Sequence, residues 1–138
     1  MTDIETIAKS FHHACTSGQG WQACQEYCTP DATFEHEGTM FADIQSVEGY
    51  AAFIQSVFTP VPDFRHEVLA VAVDRALERV LVHYRISGTH TGEGLPVPPT
   101  GKSMVSESVL VLHFEGERIR HVQKVWNDHE MMKQVGWV

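Results

Sequence analysis

Ile4, Ile7, Ala8, Phe11 and Cys15 recur at three- and four-residue intervals. That spacing predicts an amphipathic helix running to the break at Gly18, Gln19 and Gly20. Thr2 and Glu5 stand at capping-box spacing in front of it. Trp21, Cys24 and Cys28 share one face of a shorter second helix that ends before Pro30. The period then drops to two. Residues 31–37 read as a strand, with Ala32, Phe34 and His36 on one face and Thr33, Glu35 and Glu37 on the other. Gly38 and Asp43 mark a loop. Ser46 is placed to cap a third helix with Val47, Tyr50, Ala51, Ile54 and Val57 on its apolar side, ended by Pro60 and Pro62.

The remainder reads mostly as strand: residues 64–73, then 79–89 after a short turn near Asp74 and Arg75. A loop over 92–101 carries three prolines, and 103–114 and 118–126 form a hairpin around Glu115, Gly116 and Glu117. A last helix, capped by Asn127 or Asp128, buries Met131, Met132 and Val135. Helices first and a four-strand meander later predict an α+β fold, an antiparallel sheet wrapped over helices. Val80, Val82, Val109 and Val111, with Leu81, Leu110 and Leu112 between them, make several strands apolar on both faces. One face is expected to meet a pocket or helices. The other meets a partner subunit in a homodimer, or is covered by the chain's own helices.

A length of 138 residues fits a single domain, 1–138. With 43% apolar and 20% charged residues, disorder and repeat architectures fit poorly. The net charge of −8 disfavours nucleic acid and anionic membranes as partners. The nearest approach to a basic cluster is Arg118, Arg120 and Lys124. Three cysteines, Cys15, Cys24 and Cys28, and an acidic opening suggest reduced thiols in a cytoplasmic protein. The apolar runs fall far short of the ~18 residues that span a bilayer, so no membrane is expected.

Three segments carry a family resemblance. Ser87-Gly88-Thr89-His90-Thr91-Gly92, followed by Pro98-Pro99-Thr100-Gly101-Lys102, resembles the Gly-Thr-His-x-Gly and Pro-Pro-Thr-Gly stretch of SnoaL-like polyketide cyclases. Residues 112–119 are similar to the hairpin that follows it there, and Met131-Met132-Lys133-Gln134-Val135-Gly136 to the closing helix. The order of elements resembles the nuclear transport factor two-like cone, which also hosts ketosteroid isomerase. The resemblance implies a conical fold with a deep apolar cavity, commonly a homodimer. It implies ring closure by an intramolecular aldol reaction without metal or cofactor, in which a carboxylate removes a proton beside a carbonyl. The same cone hosts other chemistries, so fold alone assigns no reaction.

The sequence departs from that pattern in its last strand. The family's Glu-x-Trp-x-x-x-Asp places fall on His121, Gln123 and Asn127. An amide such as Asn127 takes no proton at neutral pH. Either Asp128 enters through a one-residue register change, or the base is elsewhere, or the chain is not a cyclase. In the first strand His36 stands where ketosteroid isomerase has its catalytic Asp, and an imidazole is a competent base near pH 7.

His36 and Asp128 are therefore the expected catalytic residues, and Tyr84, His90, His121, Gln123 and Asn127 the expected substrate contacts. His36 could equally be a half-buried histidine on a backbone carbonyl, and His90 a residue that fixes the loop. His121, Gln123 and Asn127 share a face by parity, where they meet ligand or solvent. The Tyr84 hydroxyl could donate to an oxyanion, and Ser106 and Ser108 more weakly. The cysteines lack the short spacing of zinc knuckles, so no metal is expected. The leading expectation is a cofactor-independent enzyme acting on a small hydrophobic carbonyl compound. The rivals are a non-catalytic binding module and a dimerisation domain with a filled interior.

Overall fold

The computed structural model of the chain describes residues 3–40 and 43–138. The N-terminal helical period becomes α1 (Ile4–Thr16), with Ile7, Ala8, Phe11 and Cys15 buried. Its N-cap is Asp3, without a side-chain bond to the helix, and Thr2 lies outside the described residues. A single turn, α2 (Trp21–Cys24), continues into a 3-10 turn (Gln25–Tyr27). Cys28 is not on that helix; it opens strand β1 (Cys28–His36), which contains Pro30. The reason is position. β1 is an edge strand with a register shift between Cys28 and Thr33, where a residue without an N–H is tolerated.

Helix α3 (Val47–Val57) starts as its sequence predicts, with Ser46 Oγ accepting the Gly49 N–H at 3.0 Å. Strands β2 (Arg65–Asp74), β3 (Arg79–Thr89), β4 (Ser103–Glu115) and β5 (Arg118–Trp126) form the meander, and α4 (Asp128–Val135) follows. Of the two candidate caps for α4, Asn127 serves: its Oδ1 accepts the Glu130 N–H at 3.1 Å. The sheet order is β1-β5-β4-β3-β2, parallel between β1 and β5 and antiparallel elsewhere, and the sheet is not closed.

Strand alternation divides the sheet into two faces. Val80, Val82, Tyr84 and Ile86 of β3, Leu110 and Leu112 of β4, and Val122 of β5 are buried in one core with Phe11 of α1 and Ile54 of α3. The opposite face leaves Leu81, Val105 and Val125 at 36%, 52% and 50% exposure. The fold is α+β, with four helices on a five-stranded mixed sheet. Among the described residues no helix is long and apolar enough to cross a membrane.

Candidate functional site

A cavity of about 620 Å³ lies between the end of α3, the loop over 92–101, α4 and the inner face of β3, β4 and β5. That volume suits a small organic ligand. Phe53, Ile54, Phe64, Ile86, Met104 and Met131 line it, so the walls are apolar. Ser56, Thr59, Pro96 and Val97 are exposed, whereas Ile54, Ile86, Met104 and Lys124 are buried. The mouth is therefore between α3 and the 92–101 loop, and the floor is on the sheet. The loop is held close to α3: the Gly92 N–H donates to the Pro60 carbonyl at 2.9 Å. A side chain at Gly92 would strike the Thr59 carbonyl.

Lys124 is the one charged side chain among the described lining residues. It is 1% exposed. Its Nζ lies 4.1 Å from the centre of the Trp126 ring, 5.4 Å from that of Tyr50 and 5.6 Å from that of Tyr84. It also donates to the Tyr50 hydroxyl at 3.4 Å. Ring faces favour a cation, but they replace lost hydration only in part. Burial pulls the Lys124 ammonium down to about 7, against the opposing pull of Cys15 and Asp128. Near neutral pH a large fraction is therefore free amine.

Behind Lys124 lies a shell of polar rings and hydroxyls. The His12 ring sits 4.7 Å from Tyr84, and His66 stacks on Tyr84 at 5.5 Å. The Tyr84 hydroxyl faces those of Tyr50 and Ser108. Burial raises both phenols, which stay protonated at neutral pH. Burial, helped by the Lys124 charge, brings His12 down to about 4 and His66 well below its ordinary value. Loss of hydration outweighs the pull of Cys15 and Asp128, which is the physical origin of the acidity of Lys124.

The residues singled out from sequence fall elsewhere. On β5 the inward positions are Val122, Lys124 and Trp126, while His121 and Gln123 point to the outer face. There His121 binds Glu35 at 3.0 Å and Thr33 at 2.6 Å, and Gln123 binds His113 at 3.1 Å. The match of the family's places to His121, Gln123 and Asn127 loses phase because the chain turns at Asn127 to start α4. Asn127 is spent on that cap. Asp128 is buried, and its Oδ2 accepts the N–H groups of Thr39 and Met40, both at 2.8 Å. It thereby sets Met40 in the cavity wall.

His36 is on the face expected, paired across the sheet with Lys124. It lines a recess of about 50 Å³ next to Lys124 rather than the large cavity. His90 is fully buried, and its Nδ1 accepts from Trp137 Nε1 at 3.1 Å and from the Thr100 N–H at 3.3 Å. It ties the mouth loop to the C-terminal segment. Tyr84 is inward but behind the cavity lining.

Lys124 was missed because it stood in sequence among exposed basic residues. The signal was its place midway between apolar Val122 and Trp126 at strand spacing. Cys15, Cys24 and Cys28 are buried free thiols. Among the described residues no three His, Cys, Asp or Glu side chains converge as metal ligands.

An open mixed sheet holding helices and a cavity on one face defines the class: the nuclear transport factor two-like fold. The sequence profile of the SnoaL-like polyketide cyclase family matches residues 6–135, and the chain belongs to that family. No curated protein sequence matches the chain. Among solved structures it is similar to IdmH of Streptomyces antibioticus, with a TM-score of 0.78 and 20% identity over 98% of this chain and 99% of that one. It is also similar to a SnoaL-like polyketide cyclase of Agrobacterium tumefaciens, with a TM-score of 0.68 and 20% identity over 99% and 100% of the two chains. An NTF2-like protein of unknown function from Burkholderia pseudomallei superposes with a TM-score of 0.74 at 18% identity over 98% of each chain.

Proposed function

We propose that the protein binds a small apolar carbonyl compound in the 620 Å³ cavity and removes a proton beside its carbonyl, without metal or cofactor. The observation that carries this reading is the buried Lys124 as the single charged group among the described lining residues. Its neutral fraction at physiological pH is a base already in place. Taking the proton turns the amine into an ammonium beside the enolate it has just made. In a water-poor site that attraction is worth several-fold more than in bulk water. Asp128 is engaged by two backbone N–H groups and His36 sits in the adjoining recess, so the base's role passes to Lys124.

The same proposal includes a homodimer through the outer sheet face, supported by exposed Leu81, Val105 and Val125. The reaction is tested by deuterium uptake at the α-carbon of 2-decanone, followed by NMR. The wild type should exchange faster than buffer, with a rate that rises with pH through about 7 as the amine loses its proton. Lys124→Met should reduce exchange at least ~100-fold, the scale of one general base. Binding of the ketone without exchange would instead make the protein a carrier.

A further inference from the structure

We infer that Lys124 has a second, covalent use: it forms a Schiff base with an aldehyde or ketone held in the cavity. This rests on the reading that the cavity admits an apolar carbonyl compound, and goes beyond proton abstraction. Three features of the site converge on it.

First, Lys124 lines the floor of the apolar cavity, so a molecule that fills the space meets its side chain. Phe53, Ile54, Ile86 and Met104 give the cavity apolar walls, and a ligand seated among them would leave little room for the water that drives hydrolysis. Second, aromatic faces offset part of the cost of a fixed cation. A protonated imine carries its charge on the same nitrogen, and the Trp126, Tyr50 and Tyr84 rings already lie 4.1, 5.4 and 5.6 Å from it. Third, the amine is nucleophilic only when unprotonated, and burial supplies that form near neutral pH.

The step is balanced without an added reagent. The Nζ lone pair attacks the carbonyl carbon, and the π pair moves to oxygen. A proton passes from nitrogen to that oxygen, giving a neutral carbinolamine. The oxygen takes a second proton from a neighbouring donor and leaves as water, and the nitrogen lone pair closes the C=N bond as a protonated imine. Return of the N–H proton to that donor gives the neutral imine, so that overall amine and carbonyl give imine and water. The Tyr50 hydroxyl, 3.4 Å from Nζ and kept protonated by burial, is a donor within reach of these transfers. Which use prevails depends on what the bound molecule presents to Nζ. An α-hydrogen meets a base, whereas a carbonyl carbon meets a nucleophile.

The test is reductive trapping of the full chain. Protein is incubated near neutral pH with decanal and sodium cyanoborohydride, then digested and mapped by mass spectrometry. An adduct adds the mass of the aldehyde less one oxygen. The exposed Lys9, Lys102 and Lys133 serve as internal standards. The expected result is labelling of Lys124 about ten times faster or more than of any exposed lysine. That label should vanish in Lys124→Met and Lys124→Arg, each checked for folding by circular dichroism.

Equal labelling of the exposed lysines with none at Lys124, while ketone exchange persists, overturns the Schiff base and leaves proton abstraction standing. If the adduct and the exchange are both absent, and decanal fails to displace an anilinonaphthalene dye from the cavity, the carbonyl-binding reading itself has failed. The covalent inference then falls with it.

Discussion

Lys124 gives the molecule a measurable contradiction at the scale of one residue. Its ammonium is held at about 7 in the fold and near 10.5 in the unfolded chain. The unfolded state therefore binds more protons between those values, and stability rises with pH across that window. Below about 7 the full penalty applies, roughly 5 kcal/mol for a shift of this size. Lys124→Met removes the charge but keeps the length of the side chain. The variant should lose the reaction yet be more stable than wild type at pH 7, by about 2 kcal/mol or more in urea unfolding. The gap should close as pH approaches 10. A variant less stable at neutral pH would mean that Lys124 carries more compensation than burial and geometry indicate. His12 acts in the acid range. It titrates at about 4 folded and 6.5 unfolded, so its contribution to stability is intact above 6.5, falls as pH drops towards 4, and is gone below that. His12→Asn should flatten that part of the urea-unfolding profile, which has a size of roughly 3 kcal/mol.

At the scale of elements, the join between β5 and α4 decides which residues face the cavity. Asp128 opens α4 and fastens the loop after β1 by two bonds at 2.8 Å. Gly38 makes the approach possible, since a Cβ there would lie 2.5 Å from both carboxylate oxygens. Asp128→Ala should cost about 1–3 kcal/mol in urea unfolding by leaving two N–H groups unmet. Asp128→Asn, which keeps an accepting oxygen, should cost less and retain most of the exchange activity. Exchange lost in Asp128→Asn as fully as in Lys124→Met would return the base to Asp128. The elements themselves were largely legible in sequence: α1, α3, the meander and the Ser46 cap follow from period and capping chemistry. Cys28 was misplaced because helical spacing cannot register that β5 would recruit it into an edge strand. His121 and Gln123 were aimed inward because a two-residue period carries no absolute phase across a turn.

For the whole molecule, the two faces of the sheet have opposite fates. The inner face carries the core and the cavity floor, and the outer face leaves Leu81, Val105 and Val125 at the surface with the Arg85–Glu67 and His83–Glu107 pairs beside them. A second copy placed there would cover the apolar strip. Sedimentation equilibrium should find a dimer that Val125→Asp converts towards monomer without loss of helical signal. A monomer at all concentrations would remove that part of the proposal.

What the chain's pattern determined unaided was the fold and its family: local periodicity, caps and turn residues depend on neighbours a few positions away. The His90–Thr100 bond belongs to this class, since it lies within a motif contiguous in sequence, whereas the bond from Trp137 is tertiary. The reactive group was decided only by tertiary structure. Sequence gives Lys124 only its alternation with Val122 and Trp126, a face that Arg118 and Arg120 share by parity but do not bury. Lys124 differs because packing of α1, α3 and the sheet removes its water and gives it aromatic faces instead, and desolvation belongs to the assembled interior rather than to any stretch of chain.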